Sequence, residues 1–314
     1  MNDSIYIIRN YQPADFKKYL QLQIAAEKLE PTGRCLSSQV LDENLGRPDY
    51  SPEQDLFLAE TAGNLIGYLE VLPELTIGRV ILNCWVHPEH RRQGIATQLL
   101  DYALQRAKEL GAEVAQIEIS QDNTIARRIL TRRGFNLVRR FLHLRLNMAR
   151  VHRQDMEQAA LGCRHLQRGE EDKLTRIQNR SFASVWGYNP NTVTAITYRT
   201  NLSNPQDVVL TCDGDKVTGY CWTEITDDEE AASGTRKGRI FMLGVDPTYR
   251  GKGVGKKALL AGLAHLQEKG LAVAELTVDS ENKVACALYQ MVGFEVGTSS
   301  MWYEKRINQG TGAK

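Results

Sequence analysis

Arg250-Gly251-Lys252-Gly253-Val254-Gly255 stands between an apolar run that ends at Val245 and a segment of helical periodicity, and 159 residues earlier the chain reads Arg91-Arg92-Gln93-Gly94-Ile95-Ala96. The same offset returns on the way outward from this pair. It joins His87-Pro88 to Asp246-Pro247, Gly111 to Gly270, Asn123 to Asn282, Ala126 to Ala285, and Gly134-Phe135 to Gly293-Phe294. A register held without a gap from His87 to Phe135 marks an internal repeat.

Each copy has the same grammar. A β-rich run (80–86; 240–245) leads through a Pro turn into the glycine segment and then into an amphipathic helix. Leu99, Leu100, Ala103, Leu104, Ala107 and Leu110 in the first copy, and Leu259, Leu260, Leu263 and Leu266 in the second, follow the three/four spacing of one buried face. Gly111 and Gly270 stand where such helices end. A short strand follows (114–119; 273–278), then the Asn, a second helix, the Gly-Phe pair and a closing β run. Upstream, each copy carries a strand pair, 56–60 with 65–71 and 208–212 with 217–224, joined by Ala62-Gly63-Asn64 and Asp213-Gly214-Asp215 turns. The pattern predicts an α/β (α+β) chain of two tandem domains, at 1–148 and 163–307. Residues 149–162 read as a polar connector, 227–238 as an exposed hairpin loop, and 308–314 as a tail.

Composition narrows the function. At 314 residues, with 42% hydrophobic and 25% charged residues, the chain is an ordinary globular sequence with room for two cores. Lys plus Arg is 39 and Asp plus Glu is 38, balanced in both halves, so net charge supports binding to neither nucleic acid nor membrane. The start, MNDSIYIIRN, has no cationic segment ahead of a long apolar one, and the expected location is cytoplasmic. Six scattered cysteines (35, 84, 163, 212, 221, 286) form no CxxC pair, so neither a disulfide framework nor a metal site is expected.

Arg-x-x-Gly-x-Gly between a strand and a helix sets unobstructed backbone N–H groups at the positive end of a helix dipole, which is a cradle for pyrophosphate. Gly251-Lys-Gly-Val-Gly-Lys-Lys has neither the gap nor the hydroxyl residue of a Walker A loop. Gly253-x-Gly255-x-x-Ala258 matches the dinucleotide fingerprint in letters alone: it lies eight residues past Val245, and the other copy has the single glycine Gly94.

A third motif fits the whole unit. Leu243-Gly-Val-Asp-Pro-x-Tyr-Arg-Gly-Lys-Gly-Val-Gly, then Asn282-x-x-Ala285-x-x-Leu288-Tyr289 and Gly293-Phe294, all in order, resemble the acetyl-CoA cradle of the GNAT N-acyltransferases. The resemblance covers both copies. It implies that each domain holds a mixed, splayed central sheet flanked by helices, opened to admit a pantetheine arm. Tandem architecture, with the Cys221-Trp222-Thr223-Glu224 run, is also similar to the mycothiol synthases of that family.

The resemblance assigns Arg250, Gly251, Lys252, Gly253, Val254, Gly255 and Lys256 to the pyrophosphate, and the strand end at Leu243, Gly244 and Val245 to pantetheine and the thioester carbonyl. Tyr289 takes the place of the acid that protonates the departing thiolate, and a phenol with a reference pKa of about 10 keeps its proton for that task. Asn282 reads as a helix cap, a cofactor contact or both. An amine must lose a proton to attack, and Glu224 is the candidate base. Trp186 and Tyr188 lie between the first helices of copy two, where the family shapes its acceptor pocket; packing is the other reading of both.

In copy one the cradle counterparts are Trp85, Val86, Arg91, Arg92, Gln93, Gly94, Ile95, Ala96 and Thr97. Tyr289 maps onto Leu130 and Glu224 onto Leu72, with Glu70 on the same side of its strand as a substitute carboxylate. Copy one is therefore expected to be catalytically degenerate. The paired arginines 127/128, 132/133 and 139/140 read as a solvated face, with a role in holding CoA's ribose phosphate or an anionic acceptor as the other reading. The leading function is an acetyl-CoA-dependent N-acetyltransferase acting on a small-molecule amine, as a monomer or homodimer. An idle acyl-CoA-binding sensor or scaffold, and a protein or peptide N-acetyltransferase, are the alternatives.

Overall fold

The computed structural model describes residues 6–30, 37–47, 49–226 and 237–307. The stretch 227–236 of the expected hairpin loop, the tail 308–314 and Cys35 lie outside the described residues. In chain order the first repeat runs β1 (Ile7–Asn10), α1 (Phe16–Leu29), α2 (Ser38–Leu45), α3 (Pro52–Asp55), β2 (Leu56–Thr61), β3 (Asn64–Glu74), β4 (Arg79–Val86), α4 (Ile95–Glu109), β5 (Val114–Ser120), α5 (Thr124–Arg132) and β6 (Asn136–Asn147). The second runs α6 (Arg153–Ala160), β7 (Cys163–His165), α7 (Glu171–Phe182), α8 (Val193–Leu202), β8 (Val208–Asp213), β9 (Lys216–Thr226), β10 (Lys237–Val245), α9 (Val254–Glu268), β11 (Val273–Asp279), α10 (Lys283–Val292) and β12 (Glu295–Arg306).

Contacts divide the chain into two compact units, Met1–Arg139 with Ser300–Lys314, and Arg140–Ser299. In the first, β1 to β4 form an antiparallel run, β4 lies parallel to β5, and the far edge of β5 is covered antiparallel by the last half of β12, Ser300 to Arg306. In the second, β7 to β10 are antiparallel, β10 is parallel to β11, and β11 is covered antiparallel by β6 from Phe141 to Asn147. Each sheet is thus completed by the closing strand of the other repeat.

That exchange corrects the expected boundaries. Residues 140–148 belong with the second unit and 300–307 with the first, because the repeat offset aligns like with like but carries no information about which distant edge a strand joins. The connector also has structure. Within it α6 buries Met156 and Ala159 in the core beneath α9.

The exchanged strands keep the period-2 pattern that fixes which face is buried. On β12, Met301 and Tyr303 enter the core under α4, while Glu304 accepts a hydrogen bond from Gln116 Nε2 at 2.7 Å and Lys305 Nζ donates to the Arg133 carbonyl at 2.6 Å. On β6, Leu144 and Leu146 enter the core under α9. The helices behave as their spacing predicts: α4 buries Ile95, Leu99, Leu100, Ala103 and Ala107, and α9 buries its run from Ala258 to Leu266. Each fully buried Leu stabilises its unit by about 1.5–3 kcal/mol.

Candidate functional site

The site of the second unit starts where two parallel strands part. β10 pairs with β11 only at Gly238 and Arg239, so the six residues Ile240 to Val245 have no β11 partner. At about 3.3 Å per residue that free edge is about 20 Å long. In the first unit β4 and β5 stay paired up to Leu82, which leaves four residues and about 13 Å. The expected splay is present in both units and is longer in the second. An irregularity between Ile240 and Met242 in the β9–β10 register sends both Phe241 and Met242 to the face that carries α7 and α8, while Leu243 returns to the α9 face. Consecutive residues on one face are the mark of a β-bulge.

Past Val245 the chain turns on Asp246. Its buried carboxylate accepts from Thr248 N and Oγ1 and from Arg180, whose guanidinium holds the carboxyl far below the usual range. Arg250 Nη2 donates to the Ser181 carbonyl at 2.6 Å, which anchors the loop on α7. Gly251 and Gly253 then take left-handed backbone, φ +74° and +79°, and a Cβ at either would meet nothing within 4 Å. The first intrahelical bond runs from Lys257 N to Gly253 O, so the N–H groups of Val254, Gly255 and Lys256 have no helical acceptor. Lys252 and Lys256 flank them. An open, side-chain-free loop at the N-terminus of a 15-residue helix fits a pyrophosphate.

The first repeat folds its loop the same way, with more side-chain contacts beside it. Arg92 and Gly94 repeat the left-handed turn at φ +66° and +85°. Arg91 Nε donates to the Val86 carbonyl, and the Glu30 carboxylate accepts from Arg91 Nη2 at 2.8 Å and from Trp85 Nε1 at 2.7 Å. The Tyr6 hydroxyl donates to the Gln93 carbonyl at 3.3 Å and stands 3.6 Å from where a Cβ on Gly94 would lie. Ile95 is buried, and Ala96 packs against the same core.

Tyr289 lies on α10 in the core of the second unit, with its ring edge-on to Phe294 at 5.7 Å. Among the described residues its hydroxyl makes no hydrogen bond, and burial pushes its pKa well above the phenol range. Its counterpart Leu130 is buried core. Asn282 is an N-cap: its side chain accepts from Ala285 N at 3.1 Å, as Asn123 accepts from Ala126 N at 2.9 Å.

Glu224 pairs in register with Arg239, the last β10 residue joined to β11, which places it at the apex of the opening, six residues from Val245. Tyr220 and Trp222, of the same parity, pack under α7 and α8, so Glu224 faces that side. Its carboxylate accepts from Arg199 Nη2 at 2.9 Å, with Arg239 4.0 Å away, and the Arg199 guanidinium lies 3.7 Å over the Phe241 ring. Tyr188 accepts from Asn191 and donates to Asn179, pinning the α7–α8 segment, while Trp186 meets Phe141 at 6.3 Å. Glu70 accepts from Tyr19 and Asn83. Sequence reading missed Arg199, the bulge at Phe241 and Glu30. The first two partners have no motif, and Glu30 lies 61 residues from the arginine it holds.

Residues 23–135 and 172–294 each match the acetyltransferase (GNAT) family. The chain belongs to that family. Among relatives of this GNAT protein, a mycothiol acetyltransferase from Actinosynnema mirum is 29% identical over 304 residues, 93% of this chain and 96% of that one. The fold matches a GCN5-related N-acetyltransferase from Sphaerobacter thermophilus with a TM-score of 0.72, at 21% identity over 98% of both chains. It also matches a tandem GNAT protein from the clavulanic acid biosynthesis pathway, with a TM-score of 0.70 at 15% identity over 96% of this chain and 99% of that one. The protein is an acetyltransferase, and acetyl-CoA is the acyl donor of that family. Among the described residues no helix is long and apolar enough to cross a membrane.

Proposed function

We propose that the second unit transfers an acetyl group from acetyl-CoA to a primary amine of a small molecule, by direct attack in a ternary complex. The asymmetry between the repeats carries this reading. The second cradle is open, and Tyr289 and Glu224 accompany it. The first has Arg92 where the second has Gly251, and Leu130 and Leu72 stand at the positions that match Tyr289 and Glu224. The first unit is accordingly assigned no catalytic step.

Acetyl-CoA supplies the acyl group as an activated thioester. The N-terminus of α9, with Gly251, Gly253 and the Lys252 and Lys256 ammonium groups, holds pyrophosphate oxygens. Backbone groups at Leu243, Gly244 and Val245 on the free edge of β10 align the pantetheine amides, and an N–H on that edge faces developing negative charge at the carbonyl oxygen. Glu224 takes the proton that the amine gives up, through water. The Tyr289 hydroxyl, kept protonated by its burial, gives a proton to the departing sulfur.

For the acceptor, kinship to enzymes named mycothiol acetyltransferase favours a small metabolite amine over a protein. Trp186 is proposed to line its pocket, and Tyr188 to hold the segment that carries it. Calorimetric titration of acetyl-CoA into wild type, Gly94→Trp and Gly253→Trp, with turnover measured over a panel of amino sugars and diamines, tests this reading. Binding and turnover abolished by Gly253→Trp alone support it. Binding abolished by Gly94→Trp alone, or turnover that survives Gly253→Trp, overturns it.

A further inference from the structure

The first unit holds a polar cluster that the proposed chemistry leaves unused. Glu70 on β3 pairs in register with Asn83, the first β4 residue beyond the last β4–β5 pair, so it stands at the apex of the first unit's own opening. Its Oε1 accepts from the Tyr19 hydroxyl at 3.1 Å and its Oε2 from Asn83 Nδ2 at 2.7 Å. Gln23 Nε2 in turn donates to the Tyr19 oxygen at 2.5 Å. A carboxylate has about four acceptor positions, so two remain.

Three features show what is missing. Among the described residues no Lys, Arg or His forms an ion pair with Glu70, although it is partly buried. A tyrosine cluster adjoins it: Tyr68 lies two residues away on the same strand face, Tyr19 meets Tyr68 edge-on at 5.4 Å, Tyr11 meets Tyr19 at 6.0 Å, and all three share one core with Tyr50. The Tyr50 hydroxyl is buried and has no hydrogen-bond partner. Burial, and then the charge of Glu70, raise the pKa of both Tyr50 and Tyr19, which places these phenols in the field of the carboxylate and keeps them neutral.

A withdrawn carboxylate without a counter-charge is costly, and aromatic rings and phenol oxygens are the surroundings that favour a cation. An anion would meet Glu70 with repulsion. A neutral polyol would leave the charge unbalanced. We propose that this cluster is a second ligand site, separate from the cradle of the second unit, that binds a small primary ammonium compound: Glu70 takes the charge, the Tyr50 oxygen accepts an N–H, and the tyrosine rings enclose the carbon attached to the nitrogen.

The test is calorimetry on the full chain carrying Glu224→Gln, which alters the apex carboxylate of the other unit. The probes are ethanolamine, putrescine and glucosamine, set against ethylene glycol and glucose. One site for at least one amine, with neither neutral compound binding, is the expected result. Adding Glu70→Gln should weaken that site at least about tenfold, the loss that follows removal of a charged hydrogen-bond partner. Tyr50→Phe removes only an unpartnered hydroxyl, so it leaves folding intact and should weaken binding several-fold even if Glu70→Gln fails to fold. No amine binding, equal binding of the neutral compounds, or an affinity unchanged by Tyr50→Phe and by any folded Glu70→Gln overturns the site. Acetyl transfer by the second unit is read separately, so loss of one reading leaves the other standing.

Discussion

Arg92 and Gly251 occupy the same step of the two cradle loops and share the same left-handed backbone, φ +66° and +74°. The turn is therefore a property of the fold, and glycine is a choice made in one copy only. A side chain with a Cβ in this region costs about 1–2 kcal/mol. Gly253→Val places a branched side chain in it, at φ +79°, and into the space the phosphates would use. We expect a melting temperature lowered by that amount of stability and acetyl-CoA affinity reduced at least about tenfold by calorimetry. Arg92→Gly should leave stability unchanged or raise it by up to about 1 kcal/mol, and should not affect turnover.

Tyr289→Phe keeps the ring in its contact with Phe294 and removes the proton. Turnover should fall about 10²–10⁴-fold, with acetyl-CoA binding intact. Burial raises the pKa of this phenol, so its protonated, active form persists as pH rises beyond the ordinary phenol range. The ratio of wild-type to variant rates should then stay constant from pH 7 to about 9.5, below the reference value of about 10. A ratio that declines across that window would mean the proton is donated elsewhere.

Glu224→Gln should lower kcat about 10²-fold or more while sparing acetyl-CoA affinity, because the side chain stands at the apex of the opening and away from the phosphate loop. Pre-steady-state rates and calorimetry on the same preparation separate the two quantities.

Met301 and Tyr303 follow most of the second repeat in sequence but are buried in the first unit. Met301→Ala should cost about 2–5 kcal/mol. Hydrogen exchange should show the loss of protection in α4 and β5, with α9 unaffected. Loosening of α9 instead would contradict the strand exchange.

Glu170, at the start of α7, accepts two bonds from Arg164, and this guanidinium holds its carboxyl at about 2, below the ordinary 4.5. A carboxyl depressed in the folded state adds stability that is complete above pH 4.5 and is lost as pH falls toward about 2. Glu170→Gln should therefore melt below wild type at pH 7, and the two curves should converge near pH 2.

What the sequence makes legible here is what is local. The helices α4 and α9, the turns at Pro88 and Pro247, and the Asn caps all follow from residues within a few positions of one another, and each is found where periodicity and capping put it. The partners of the site residues are not local. Glu30 reaches Arg91 from the end of α1, and Arg199 reaches Glu224 from α8; neither pairing leaves a pattern in the chain. The bulge at Phe241 hides in a run of apolar residues that reads equally well as a regular strand. Which sheet Ser300–Arg306 would join was beyond reach for the same reason, since both candidate edges have the same alternation.

The exchange of closing strands ties the order of synthesis to the order of folding. β5 is made about 180 residues before the strand that covers it, so at about 5–20 residues per second its edge stays bare for on the order of ten seconds or more. The exchange ties the repeats together in the finished molecule as well: a half cut between them would carry the strand that closes the other half's sheet and lack its own.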